Sequence, residues 1–180
     1  MSAKKIALYG LLTSVMLVLG WLERFIPLPG FPGVRLGLSN TVLLFALCLM
    51  STRSAWLLMG LKVFLSFFLY GTGISVAYSL GGGVLSMLAM MLALKIRGLG
   101  MVGISVCGAA AHMIGQIGVS MLIFSQWEFI TAIPLLLIAA VVTGILTGLV
   151  AQGTCRGVAH MDVQMMKRLE SLGLAGDKKS

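Results

Sequence analysis

Six apolar runs recur along the chain, at about residues 6–22, 36–50, 55–70, 80–94, 101–124 and 129–150. Each is long and apolar enough to read as a membrane helix. Short polar or glycine-rich breaks separate them, with one exception. The break between the first two runs, E-R-F-I-P-L-P-G-F-P-G-V-R-L-G-L-S-N from Glu23 to Asn40, holds three of the four prolines and the charged residues Glu23, Arg24 and Arg35. Proline fixes φ, removes a donor and pushes the preceding residue out of the helical region. This stretch therefore predicts a structured, non-helical connection that caps or walls a small-molecule site.

The finer pattern adds detail. Gly71–Ser79 reads as an uncharged turn, and Gly81-Gly82-Gly83 is expected to weaken or break the start of the fourth helix. After residue 152 the chain turns polar. Residues 160–172 place Val163, Met166, Leu169 and Leu172 at helical spacing, predicting a short amphipathic helix on the membrane surface or a solvated end. The expected division is a membrane domain over 1–152, with 23–40 as its external loop, and a cytoplasmic tail over 153–180.

Composition supports this class. Hydrophobic residues make up 59% of the chain and only 10% are charged; mean hydropathy is +1.06. A soluble domain of 180 residues cannot hide that much apolar surface. The net charge of +8 would suggest nucleic acid in a soluble protein. Here ten of the thirteen basic residues fall on one side of a six-span arrangement. They are Lys4, Lys5, Arg53, Lys95, Arg97, Arg156, Lys167, Arg168, Lys178 and Lys179. The positive-inside rule then puts both termini in the cytoplasm and the protein in the cytoplasmic membrane. The basic segment at the start reads as part of a retained first span rather than a cleaved signal, since no A-x-A-type site follows.

Polar residues inside the runs are the candidates for chemistry. Lys62 lies nine residues past Arg53, roughly 13 Å into the bilayer. A lysine there is costly unless it pairs or reaches water. The outer-side carboxylates, Glu23 and Glu128, are expected near the surface. Lys62 thus lacks an evident counter-ion at its own depth, which favours an anionic or polar ligand over a buried pair. His112 and Gln116 share a face of the fifth run, where they either meet a ligand or bond between helices. Arg35 and Asn40 sit where the connection re-enters the membrane. The Arg35 fork suits a carboxylate or phosphate, or anchors to lipid headgroups. Tyr78 is a further site candidate, or an ordinary interface aromatic. On the first run Gly10 and Ser14, with Ala7 nearby, form a small face for internal or partner contact.

Several motifs are missing from the sequence. There is no G-x-x-x-x-G-K-[ST] and no CxxC, and the acidic residues are single and distant. Prenyl diphosphate chemistry normally needs Mg²⁺ held by clustered carboxylates. Neither intrinsic catalysis, a metal, nor another cofactor is indicated.

The runs E-R-F-I-P, P-G-V-R-L-G-L-S-N, S-L-G-G-G-V-L-S-M and G-A-A-A-H-M-I-G-Q are similar to the bacterial Gx transporter family, also labelled heptaprenyl diphosphate synthase component I. Pro32, Gly33, Leu36, Gly37 and Asn40 match the first motif, Gly81–Gly83 the glycine cluster, and His112, Gly115 and Gln116 the last. That family resembles the S components of energy-coupling factor transporters. The resemblance implies an all-α, six-helix membrane bundle with an external pocket capped by the first connection. It also implies partners: a transmembrane coupling subunit and ATPases, with Ala7, Gly10 and Ser14 at the contact. The expected function is binding and uptake of a small anionic or amphipathic compound. Two alternatives are an accessory subunit of heptaprenyl diphosphate synthesis, partnered by a soluble synthase, and a membrane subunit of a flavin or redox system.

Overall fold

The computed structural model describes residues 3–25, 35–70, 73–96, 98–125, 130–131, 133–159 and 163–174. The described residues are helical with no strand. In chain order they form α1 (Ala3–Leu22), a 3₁₀ turn (Glu23–Phe25), α2 (Asn40–Leu49), α3 (Thr52–Tyr70), α4 (Gly73–Ala93), α5 (Met101–Phe124), α6 (Ile133–Ala159) and α7 (Val163–Ser171). The proline-rich middle of the first connection, with Pro32 and Gly33, lies outside the described residues, as do Arg97, Glu128, Lys178 and Lys179.

Among the described residues five helices are long and apolar enough to cross a membrane: Lys5–Leu22, Thr52–Leu69, Gly73–Ala93, Met101–Phe124 and Ile133–Val158. Large apolar side chains on them stay exposed, among them Leu11, Phe64, Phe68, Leu122 and Leu146. A soluble fold would cover such faces; hydrocarbon solvates them.

The second expected span is shorter than its apolar run. α2 has 10 residues, about 15 Å of helix against about 30 Å of hydrocarbon. The residues before it, Arg35–Gly37, are non-helical, and Gly37 takes φ +84°. A Cβ at Gly37 would lie 3.0 Å from Asn40 Nδ2 and 3.1 Å from His112 Cδ2. That position requires glycine for both conformation and space. Asn40 N–H donates to Gly37 O and Thr41 N–H to Leu38 O, which satisfies the first amides of α2. Non-helical backbone at this depth is tolerated only when buried in protein, and Leu36, Gly37 and Ser39 are buried. α2 is itself the centre of the bundle: Val42–Leu49 are all buried, and it touches α1, α3, α4, α5, α6 and α7.

The fourth helix begins earlier than its pattern suggested. Residues 73–79 are helical, and the three glycines do not break α4. They serve packing instead. A Cβ at Gly115 would come within 2.5 Å of Gly81 O, and one at Gly81 would meet Val119 at 2.4 Å. Further along, one at Gly108 would meet Met90 at 2.6 Å, so the two helices run antiparallel with their backbones in contact. α6 packs on the other side of α5 in the same manner, Gly144 against Val106 and Gly148 against Val102. Ser105 and Thr147 hydroxyls bond across that interface at 2.9 Å.

The tail helix packs by one face against the end of the bundle. Leu169 and Leu174 are buried in the same core as α2. Arg168 donates from Nε to Cys48 O (3.0 Å) and from Nη2 to Leu47 O (3.2 Å). It thereby satisfies carbonyls that the end of a helix leaves open. Exposed Lys5, Arg53, Lys95, Arg156 and Lys167 gather at the end of the bundle where α1, α3 and α5 begin and α4 and α6 finish.

Candidate functional site: a buried polar cluster

Most of the sequence candidates converge on one place, the segment that enters α2. Lys62, near the middle of α3, is 5% exposed and Glu23 is 4% exposed. Lys62 Nζ donates to Ser39 Oγ at 2.5 Å, and Ser39 N–H donates to Glu23 Oε1 at 3.1 Å. Ser39 occupies the N-cap position of α2 without capping it; its hydroxyl is engaged by the lysine instead. Glu23, expected near the membrane surface, is buried within the protein and bonds the same serine that Lys62 reaches.

Gln116 holds the other end of this segment. Its Oε1 accepts from Arg35 N–H at 2.7 Å and its Nε2 donates to Arg35 O at 3.1 Å, so a side-chain amide pairs with backbone as a neighbouring strand would. This orientation turns the NH₂ group of Gln116 toward His112 Nε2, with which it is also bonded. An amide NH₂ can only donate, so His112 Nε2 accepts and the imidazole is neutral with its proton on Nδ1. Nδ1 lies against the Gly82 backbone without reaching hydrogen-bond geometry. Arg35 Nη2 donates to Ser75 Oγ. Asn40 Nδ2 donates to Ser86 Oγ at 3.2 Å, while its Oδ1 is buried without a partner.

Tyr78 is buried, and its hydroxyl bonds Ser120 Oγ at 2.9 Å. Ser120 also bonds Gln116 O, which ties Tyr78 into the same network. The polar atoms thus come from the 3₁₀ turn, the segment just before α2, the first residue of α2, and α3, α4 and α5. Sequence reasoning missed the serines Ser39, Ser75, Ser86 and Ser120. The first adjoins Asn40, and Ser75 and Ser86 stand on the face of α4 that meets the connection. That spacing was the available signal.

Ala7, Gly10 and Ser14 are elsewhere, exposed on α1. Gly10 and Ser14 border a groove of about 530 Å³ between α1 and α3, together with Tyr9, Thr13, Leu57 and Leu61.

The family model described as heptaprenyl diphosphate synthase component I matches residues 12–154. The chain belongs to this family. The match takes in the whole buried cluster, from Glu23 through Ser120, and leaves α7 outside it. No curated protein and no solved structure matches the chain.

Proposed function

We propose that this chain is a membrane-embedded binding subunit for a small anionic or amphipathic compound that enters from the outer side. The 23–40 connection is its cap, and Lys62 is the cation that meets the ligand. Glu23, Arg35, Asn40, Tyr78, His112 and Gln116 line or hold the site. One observation carries this reading. Lys62 is buried in mid-helix at membrane depth with a single hydrogen bond for an ammonium that has three donors. Polar groups are rarely kept in that position without a use.

Six crossings follow if the re-entrant residues and α2 together make the second one. Both termini then lie in the cytoplasm, which the basic end of the bundle supports, and residues 153–180 form the cytoplasmic end. The likeness to S components supports uptake, with a coupling subunit and ATPases as partners and Ala7, Gly10 and Ser14 as their contact. The family description favours a second reading. In it the same cluster receives a prenyl diphosphate, and the partner is a soluble component of heptaprenyl diphosphate synthesis.

Native mass spectrometry of gently purified full-length protein tests the site and separates the partners. Wild type is expected to carry a bound small molecule that Lys62→Met loses. Equal occupancy in the two proteins would remove Lys62 from the site. A co-purified ATPase pair selects uptake; a co-purified prenyl synthase selects the second reading.

A further inference from the structure

Glu23 and Lys62 are both buried, both bound to Ser39, and yet not bound to each other. Among the described residues no carboxylate comes within ion-pair distance of the Lys62 ammonium. Burying two opposite charges is costly, and direct contact is what normally offsets it. Here the serine stands between them, its hydroxyl facing the cation and its N–H facing the anion. The carboxylate rests at the entry to α2, where the first amides of a helix favour negative charge. It is carried on a three-residue 3₁₀ turn that leads straight into the connection. Among the described residues one hydrogen bond, from the Ser39 amide, holds it there.

We propose that Glu23 is a displaceable stand-in for the ligand's negative group. In the absence of ligand it occupies the anion position beside Lys62. An entering anion takes direct contact with the ammonium and drives Glu23, with the turn that carries it, away from Ser39. The ligand class is therefore an anion presented by a mobile small molecule, such as a carboxylate or a diphosphate. Glu23 sets its affinity by competing with it rather than by touching it. This inference rests on the binding reading above and gives one of its residues the opposite role.

The sign of one substitution decides it. Glu23→Gln keeps an oxygen acceptor for the Ser39 amide and removes the charge. Binding of farnesyl diphosphate, a defined amphipathic anion, is measured by calorimetry on the full chain in lipid nanodiscs. Glu23→Gln is expected to tighten binding about tenfold, since the anion no longer has to displace a competing charge from beside Lys62. Lys62→Met, alone or combined with Glu23→Gln, is expected to weaken it at least about tenfold. Glu23→Asp draws the carboxylate back and shows a smaller gain in the same direction, which keeps the test open if the Gln variant folds poorly. Pyrophosphate reproduces the Glu23→Gln gain if the headgroup alone is recognised. Farnesol, which has no charge, shows no gain. Unchanged or weaker farnesyl diphosphate binding in Glu23→Gln, with loss in Lys62→Met, overturns the stand-in role and leaves the site intact. Binding to none of the proteins overturns both.

Discussion

Gln116 is conspicuous in the sequence, and its side chain is tied to backbone. A glutamine in an apolar run at helical spacing from a histidine invites a ligand-contact reading. Its amide is instead spent on the backbone of Arg35, fixing the entry to α2 and the tautomer of His112. Gln116→Leu retains the volume but removes both side-chain hydrogen bonds to the Arg35 backbone. Such a loss costs about 1–3 kcal/mol, and a lower unfolding midpoint in mild detergent would register it. A midpoint equal to wild type would mean that water serves Arg35 equally well. Lys62, His112 and Gln116 were legible because each is polar where hydrocarbon surrounds it. The contact of Glu23 was not legible: adjacency to a span end does not reveal that the carboxylate on the 3₁₀ turn reaches the Ser39 amide at the start of α2. The serines escaped notice because a hydroxyl in a membrane helix normally bonds its own preceding turn, as Ser14, Thr143 and Thr154 do here.

Among the elements, α5 was the most legible: its run and its helix share the bounds Met101–Phe124, with Gly100 before it and a left-handed Ser125 after it. α2 was the least. Leu36-Gly37-Leu38 is as apolar as the helix that follows, and hydropathy records burial without recording whether the backbone is coiled. The glycines of α4 misled for a related reason. Their helix penalty applies in water, whereas in hydrocarbon the backbone must bond to itself and a missing side chain becomes an opportunity for close packing. α7 is held to the core by apolar contacts and by the Arg168 fork on Leu47 and Cys48. Arg168→Ala is expected to destabilise the protein by about 1.5–3 kcal/mol, the range for hydrogen bonds from a charged group. Amide exchange across residues 163–174 should rise at the same time. Exchange that stays at the wild-type rate would show that Leu169 and Leu174 suffice.

At the scale of the molecule, the membrane class was evident from the number of apolar runs, and the exposed aliphatic and aromatic faces of α1, α3 and α6 agree with it. The orientation rests on where the cations gather. In a cysteine-free background, Lys167→Cys is expected to react with a membrane-impermeant maleimide only in inside-out vesicles. Ser125→Cys, at the far end of α5, should react only in right-side-out ones; the reverse pattern would invert the topology. The brevity of α2 has one more consequence. Where that helix stands, helical backbone covers only about half of the hydrocarbon thickness, and the buried coil around Leu36, Gly37 and Ser39 makes up part of the remainder. The amides and carbonyls that a longer helix would have consumed are left for side chains, which is how the Ser39 amide comes to meet Glu23 and the Arg35 backbone comes to meet Gln116.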